Sequence, residues 1–225
     1  MSAAPPDPVH VVAGALLDAD ARVLIAERPR GRHLAGGWEF PGGKLAPQET
    51  PIEGLARELS EELGIALGSA RPLIRVRHDY PDRSILLDVW LVTAYAGVPE
   101  GLEGQRLRWC GAEELPAADL LPADRPVVAA LRLPPRLVAA SSGIHVIRAA
   151  ATAGRHGGRL EGIWCNGAAQ ARAAAAAGAD FLVLWDALDA AELAALCDSV
   201  NVPVFARGIA LEQAWTLGAT GINAI

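Results

Sequence analysis

The chain has 225 residues, enough for one large domain or two small ones, and a formal net charge of −6. With this acidic balance and no basic run, we expect no nucleic-acid polymer as partner, whereas a nucleotide that carries its own cation is compatible. No apolar run approaches the roughly 20 residues of a membrane span, and the first residues, MSAAPPDP, lack the regions of a signal peptide. The three cysteines are widely spaced and form no metal-ligand pattern, so we expect a cytoplasmic protein without membrane attachment.

The first part of the chain alternates short apolar runs with turns, which predicts a mixed sheet with flanking helices. Strands are predicted at Val9–Leu17, Arg22–Glu27, Pro72–Asp79, Ser84–Tyr95 and Leu107–Cys110. The third and fourth strands pair as a hairpin around residues 80–83. A helix at 125–133 closes this half. The expected fold is an α/β/α sandwich.

Between the second and third strands, the sequence predicts a helix from Pro51 to Leu63. Thr50 is a good N-cap, and proline suits the first helical position. Glu53, three residues after Thr50, completes a capping box, and Gly64 provides the C-terminal stop. The start and the end of this helix are therefore both encoded locally.

Three carboxylates share one face of this helix. Glu58, Glu61 and Glu62 are spaced at i, i+3 and i+4, so they lie within one turn of each other. Like charges at this distance repel each other unless a cation lies among them. Hard oxygen ligands favour Mg²⁺, with Mn²⁺ as the alternative, held together with water and substrate phosphate. The helix face therefore predicts a divalent cation site.

The same stretch fits the pattern G-x5-E-x7-R-E-U-x-E-E-x-G-U, in which U is aliphatic, at every specified position. These positions are Gly43, Glu49, Arg57, Glu58, Leu59, Glu61, Glu62, Gly64 and Ile65. This is the Nudix box, by which the chain resembles the Nudix hydrolases. The segments HLAGGWEFPGGKLAPQETP, YPDRSI, LEGQRLRW and LLPADRPVVAAL extend the likeness over residues 8–132 to the MutT type, which clears 8-oxo-dGTP from the nucleotide pool.

The resemblance implies a metal-dependent attack of water on the β-phosphorus, giving a nucleoside monophosphate and pyrophosphate. It implies as metal ligands a backbone carbonyl of Gly42 or Gly43, the three carboxylates of the helix face, and Glu103 on a later loop. Either Glu58 or Glu103 would orient or deprotonate the water. Arg57 would pair with the box carboxylates and fix their rotamers rather than touch the substrate.

The resemblance also implies a set of nucleotide contacts. Arg28 and His33 would meet the phosphate and sugar region, and Arg83 would lie on a lid-like hairpin turn. The residues that would line the base are Glu39, Phe40, Pro41, Gly42 and Asp124. The last stands where the family has a guanine-reading Asn. An ionised Asp accepts from the N7–H of 8-oxoguanine but repels O6, whereas a protonated Asp satisfies both. Strict selectivity for guanine is therefore not expected, and oxidised adenine nucleotides also become candidate substrates.

From about residue 134 the pattern changes to strand–helix alternation. Apolar runs LVAAS, LEGIWC, FLVLW, VPVFA and GINAI alternate with helical stretches at Ala168–Ala177, Ala190–Val200 and Leu211–Leu217. This order predicts a small parallel β/α domain over residues 134–225, with the first domain at 1–133. No role is assigned to His145, His156 and Cys165 of this domain, which show no metal-ligand spacing.

The motifs GADFLVL, NVPVFARGI and GATGINAI resemble the C-terminal part of thiamine-phosphate synthase, a (β/α)8 barrel. Roughly 90 residues cannot form that barrel, which needs about 200 or more, so we interpret the domain as part of a TIM barrel. It also has Arg207-Gly208 where the barrel enzyme has a Gly-Gly phosphate loop. Three roles stay open: stabilising the first domain, forming a homodimer through unclosed sheet edges, or binding a small ligand.

Two further hypotheses for the whole chain remain open. In one, the Nudix chemistry acts on a thiamine-related diphosphate, as the C-terminal resemblance suggests. In the other, the chain binds a nucleotide without hydrolysing it and acts as a ligand sensor or scaffold. The intact carboxylates of the predicted helix disfavour the second.

Overall fold

The computed structural model describes residues 7–29, 31, 34–138, 144–147 and 160–224. Contacts divide the chain into two compact units, one of residues 1–71 with 77–125 and one of residues 72–76 with 126–225. The predicted domain boundary near residue 134 stays a prediction. Within the described residues, no helix is both long and apolar enough to cross a membrane.

The first unit contains two sheets and one long helix. Its elements are β1 (Val9–Leu16), β2 (Val23–Glu27), β3 (Trp38–Glu39), β4 (Gly42–Lys44), α1 (Pro51–Leu63), β5 (Ala66–Asp79), β6 (Ser84–Ala96) and β7 (Leu107–Cys110). Residues 72–76 of β5, and α2 (Arg125–Leu131) from its second residue onward, are grouped with the second unit. One sheet has the order β4-β1-β6-β5, with β1 parallel to β6 and antiparallel to β4. The other has the order β3-β2-β7 and is antiparallel. The predicted mixed α/β class is confirmed.

Several predicted elements differ from the observed ones. The hairpin is present, with the Tyr80 backbone N–H donating to the Arg83 carbonyl over 2.8 Å. Strand β5, however, begins at Ala66 rather than at Pro72. Because β5 lies at the edge of its sheet, a proline without an N–H is tolerated inside it. Strands β3 and β4 were not predicted, since two or three residues are too few to show an alternating pattern.

Helix α1 packs one apolar face against the larger sheet of the first unit. Leu55, Leu59 and Leu63, at i, i+4 and i+8, are fully buried and form a cluster with Val12 and Val92. Each buried leucine contributes about 1.5–3 kcal/mol relative to an exposed one. This packing fixes the rotation of the helix and turns its carboxylate face away from the core.

The second unit is a parallel β/α arrangement. Its elements are β8 (Arg136–Leu137), β9 (Ile144–Ile147), β10 (Leu160–Cys165), α3 (Ala168–Ala176), β11 (Phe181–Leu184), α4 (Ala190–Cys197), β12 (Val204–Ala206), α5 (Leu211–Thr216) and β13 (Gly221–Asn223). The sheet order is β8-β13-β12-β11-β10-β9, and every pair is parallel. The predicted parallel β/α character is therefore present. Most of the predicted strand 137–141 lies outside the described residues, and β9 was not predicted.

The two faces of this sheet carry different side chains. Leu182 and Leu184 of β11 pack with residues of the three helices, whereas Phe181 and Val183 pack on the opposite face. There the ring of Phe181 meets that of Phe205 edge to face, with centroids 5.9 Å apart. This period-2 alternation assigns the residues that follow each strand to one face or the other.

Candidate active site

The caps of α1 hold its carboxylate face in place. The Glu53 backbone N–H donates to the Thr50 hydroxyl over 3.4 Å, and the Thr50 N–H donates to the Glu53 carboxylate over 2.9 Å. Gly64 ends the helix at φ 68°, a left-handed conformation that favours glycine. The predicted bounds and capping box of this helix are confirmed.

Arg57 connects the carboxylates of the box. Its Nε and Nη2 donate to the two oxygens of Glu49 over 2.8 and 2.9 Å, a bidentate arrangement. Its Nη1 donates to Glu58 over 2.8 Å and to Glu61 over 3.2 Å, and Nη2 also donates to the Lys44 carbonyl over 3.0 Å. The hydrogen bonds from Arg57 lower the pKa of Glu49 to about 2. The pairing expected for Arg57 is present.

Glu62 lies deeper than the other carboxylates. Burial raises its pKa to about 7, and repulsion from Glu58, Glu103 and Glu39 acts in the same direction. The Gly42 backbone N–H donates to Glu62 Oε2 over 3.0 Å and opposes this shift. Four carboxylates therefore converge here with too little positive charge to balance them.

The glycines before the helix allow the close approach of two elements. A Cβ on Gly43 would lie 2.3 Å from the carboxyl carbon of Glu58. A Cβ on Gly42 would lie 2.1 Å from the Val12 carbonyl oxygen on β1. Strand β4 therefore runs directly beside the helix face, which brings the backbone of both glycines next to the box carboxylates.

Glu103 reaches the cluster from a loop that is tied to the end of α1. The Leu102 N–H and the Gln105 side-chain amide both donate to the Glu62 carbonyl, over 3.0 and 3.1 Å. The Gln105 Oε1 in turn accepts from the Glu103 N–H over 2.9 Å. Our sequence analysis assigned no role to Gln105, although it lies in the segment LEGQRLRW; this side chain anchors the loop that carries Glu103.

A second group of polar residues lies at the end of β3. The fully buried Asp124 carboxylate accepts from the Phe40 N–H over 3.5 Å. Burial raises the pKa of Asp124 well above its usual value, and the negative charge of Glu39 raises it further. Arg28, which lowers that pKa, pairs with Glu39. Burial and the neighbouring negative charge therefore both favour the protonated form of Asp124.

Tyr80 joins this group from the β5–β6 hairpin. It shares a backbone hydrogen bond with Ala123, and burial raises the pKa of its hydroxyl. The charges of Asp124, Arg28 and Glu39 all act on it. No role was predicted for this tyrosine, although it begins the segment YPDRSI that carries part of the family likeness.

Two adjoining clefts connect the carboxylates with the β3 residues. The smaller is lined by Ala26, Glu27, Pro29, Glu39, Phe40, Pro41, Gly42, Glu62, Glu103 and Gln105. The larger, of about 790 Å³, shares part of this lining and continues to Arg28, Gly36 and Arg106. One continuous depression thus contains four of the predicted base-lining residues, Glu39, Phe40, Pro41 and Gly42, and two of the predicted metal-ligating side chains, Glu62 and Glu103. Asp124, Glu58 and Glu61 are not among the residues that line it.

Two predicted nucleotide contacts, Arg83 and His33, are also not placed in this depression. Arg83 lies in the hairpin turn with its Nε 3.8 Å from an Asp82 oxygen, and it is not among the residues that line either cleft in the described part of the chain. His33 lies outside the described residues. The roles of both stay predictions.

The donor set suits a divalent cation, although its side chains are not arranged as a finished cage. Among the described residues, no group of three His, Cys, Asp or Glu side chains stands ready to hold a metal ion. The reason is visible in the contacts: Glu58 and Glu61 turn to Arg57, and Glu62 turns to the Gly42 N–H. Hard carboxylate oxygens with uncompensated negative charge fit Mg²⁺ or Mn²⁺.

Comparison with known proteins identifies the family. The NUDIX domain model matches residues 12–130. The 8-oxo-dGTP diphosphatase of Escherichia coli (strain K12) is 36% identical over 124 residues, which is 55% of this chain and 96% of that protein. The CTP pyrophosphohydrolase of the same strain is 38% identical over 122 residues, 54% of this chain and 90% of that protein. The solution structure of the E. coli ORF135 protein aligns with a TM-score of 0.51 at 36% identity and covers 56% of this chain and 89% of its own. This chain therefore belongs to the Nudix family.

Proposed function

We propose that the chain is a Mg²⁺-dependent pyrophosphohydrolase that converts oxidised purine nucleoside triphosphates such as 8-oxo-dGTP to the monophosphate and pyrophosphate. The observation that carries this proposal is the depression lined by the carboxylates of Glu39, Glu62 and Glu103, in which Glu62 also lies within the electrostatic influence of Glu58. The buried Asp124 adjoins this lining through its hydrogen bond with the Phe40 N–H. The similarity to the 8-oxo-dGTP diphosphatase of E. coli supports the substrate class. Such a role in the nucleotide pool agrees with a cytoplasmic location.

The metal would be held by Glu58, Glu61, Glu62 and Glu103, with a backbone carbonyl of Gly42 or Gly43. When bound, a divalent cation neutralises triphosphate charge and lowers the pKa of the attacking water. The remaining steps belong to the chain itself.

Orientation of the attacking water falls to a carboxylate. Glu58 is the stronger candidate for this role because Arg57 holds one of its oxygens at 2.8 Å and so fixes its rotamer. Glu103 is the alternative, since its loop is anchored through Gln105 to the end of α1. Arg57 acts as a positioning residue through the carboxylates that it holds.

Recognition of the base falls to the group at the end of β3. A protonated Asp124 presents both an O–H donor and a carbonyl acceptor, so it can pair with O6 and the N7–H of 8-oxoguanine. The same pair of groups suits oxidised adenine, which widens the proposed substrate range. Arg28 would meet the phosphate and sugar region on leaving Glu39.

A second candidate substrate is a pyrimidine nucleoside triphosphate. It rests on the 38% identity with the CTP pyrophosphohydrolase of E. coli. A thiamine-related diphosphate and a purely binding role are retained only as outcomes of the test. A homodimer formed through edge strands β8 and β9 of the second unit is also a proposal.

The test is pyrophosphate release with Mg²⁺ from 8-oxo-dGTP, dGTP, 2-oxo-dATP, dATP and CTP, with phosphate release from thiamine diphosphate. Glu62→Gln serves as the inactive control, because it keeps the shape of the side chain and removes its charge. A preference for an oxidised purine that the substitution abolishes supports the proposal. Preference for CTP or for thiamine diphosphate would change the assigned substrate. Binding of a nucleotide without turnover in the parent chain would refute the enzymatic role.

A further inference from the structure

The second unit carries a cavity that the Nudix chemistry does not use. It has a volume of about 400 Å³ and is lined by Trp164, Asn166, Gln170, Trp185 and Asp186. This volume lies within the range of roughly 300–1,000 Å³ that is usual for small-molecule sites.

The cavity lies at the carboxyl edge of the parallel sheet. Trp164 and Asn166 come from the end of β10, and Trp185 directly follows β11. Arg207 directly follows β12, the next strand in the sheet. The carboxyl edge of a parallel sheet is where ligands bind in open α/β folds and in barrels, because the loops that follow successive strands meet there.

The alternation of side chains places these residues on one face. Trp164 packs with the cluster that contains Phe181 and Phe205, on the side of the sheet opposite the helices. Trp185 continues the face of Phe181 and Val183, two residues beyond Val183, and Arg207 continues that of Phe205, two residues beyond it. A buried aromatic layer is thus followed, toward the edge, by a layer of two tryptophans and an arginine.

This outer layer is ordered although it is open to solvent. The two indole rings meet edge to face, with centroids 5.1 Å apart. The guanidinium of Arg207 lies 4.7 Å from the ring centroid of Trp185 and donates to its carbonyl over 3.2 Å. Trp185 nevertheless remains 42% exposed. An exposed tryptophan held in one orientation by two neighbours is a preformed stacking surface.

The polar side chains around the two tryptophans offer both kinds of hydrogen bond. Gln170 uses its Oε1 to accept from the Asn166 N–H over 2.6 Å, which leaves its amide nitrogen to act as a donor. The exposed Asp186 carboxylate is an acceptor only. A ring that stacks on indole and carries N–H or amino donors at its edge matches this lining.

We propose that this cavity binds a planar, amino-bearing heteroaromatic ring of nucleobase size. Trp185 provides the stacking surface, Trp164 and Arg207 hold it in place, and Asp186 accepts from the exocyclic amino group. The site stands on contacts of the second unit alone, so it does not depend on the function proposed for the Nudix domain.

The test titrates the full chain with adenine and, as the matched control ligand, with purine, which lacks the amino group. Binding is measured by calorimetry or by ligand-observed NMR. We expect saturable binding of adenine that is tighter than that of purine by about tenfold, the worth of one charge-assisted hydrogen bond. Trp185→Ala should weaken adenine binding by about tenfold or more, as loss of base stacking does. Asp186→Asn should bring the two affinities close together, and Glu212→Gln, which removes an exposed charge elsewhere in the unit, should change neither.

Asp124→Ala tests whether adenine binds in the Nudix domain instead, because it removes the proposed base-recognition side chain there. Adenine binding to the second unit should be unchanged in this variant. If Trp185→Ala does not fold, as judged by circular dichroism, the surface variant Asp186→Asn decides alone: a collapsed adenine-to-purine ratio supports the site, and an unchanged ratio overturns it. Absence of saturable adenine binding at millimolar concentration, or adenine binding that survives Trp185→Ala in a folded chain, also overturns the proposal.

Discussion

Gly43→Ala is expected to slow turnover by about two orders of magnitude without unfolding the chain. The new Cβ would lie 2.3 Å from the Glu58 carboxyl carbon, whereas ordinary contact begins at 3.4 Å, so the carboxylate must withdraw by about 1 Å. Because this carboxylate is the far end of a flexible side chain, we expect the free energy of unfolding to change by less than about 1 kcal/mol.

The withdrawal should have a large effect on catalysis. It moves Glu58 relative to the rest of the cluster and disturbs its 2.8 Å hydrogen bond with Arg57. A misplacement of about 1 Å costs on the order of 100-fold in rate, or about 2.7 kcal/mol of transition-state stabilisation. We therefore expect kcat/KM for the preferred triphosphate to fall by about two orders of magnitude at saturating Mg²⁺.

Gly42→Ala is the matched control for this prediction. There the Cβ would lie 2.1 Å from the Val12 carbonyl oxygen, which is backbone, and the residue has φ 150°. Neither strand can yield cheaply, so we expect a loss of more than about 2 kcal/mol in stability. Thermal unfolding and pyrophosphate release, measured on both variants, separate the two effects. A Gly43→Ala enzyme within threefold of the parent rate, or one that melts like Gly42→Ala, would refute the role given to this close approach.

Three other substitutions test the remaining parts of the site. Arg57→Lys keeps the charge but loses the bidentate bonds to Glu49, so kcat should fall by about tenfold or more with KM little changed; an equal rise in KM would contradict a positioning role. Burial raises the pKa of Asp124 in the folded chain, so stability falls as pH rises from the unfolded pKa of this carboxyl to its raised folded value. Asp124→Asn lacks this loss and should gain stability over the parent in thermal unfolding as pH rises above the unfolded pKa, by up to about 1.4 kcal/mol per pH unit; parallel pH profiles of the two chains would contradict the raised pKa. Gln105→Ala frees the loop of Glu103 and should raise the Mg²⁺ concentration for half-maximal rate several-fold, and an unchanged metal dependence would separate this loop from the metal site.

The parts of the fold that local chemistry specifies could be predicted from the sequence. Helix α1 was placed to the residue, because Thr50, Pro51, Glu53 and Gly64 determine its ends through contacts within a few positions. Strands β10 to β13 of the second unit were also found, since buried parallel strands appear as short apolar runs between helices. Arg57 could be expected to meet the box carboxylates for the same reason, as most of its partners lie within eight residues.

What could not be predicted depends on contacts between distant segments. The role of Gln105 rests on a bond to the carbonyl of Glu62, 43 positions away, and that of Tyr80 on a bond to Ala123. A glutamine in a loop and a tyrosine before a turn carry no signal of such partners. The early start of β5 had the same cause: Pro72 ends an interior strand but not an edge strand, and only the sheet order shows which it is.

The charges around α1 indicate why this helix exists in its present form. Its leucine face and its caps stabilise it, but its other face concentrates carboxylates around the cation of Arg57. Burial raises the pKa of Glu62 on this face to about 7, and repulsion from the neighbouring carboxylates adds to the shift. A helix selected for stability alone would alternate charges at i and i+4 rather than repeat one sign. The capping interactions and the fully buried leucines stabilise the helix and offset this electrostatic repulsion. A run of like charges on an otherwise regular helix is expected at a functional site. In the proposed reaction, the balancing positive charge would arrive with the substrate and its metal.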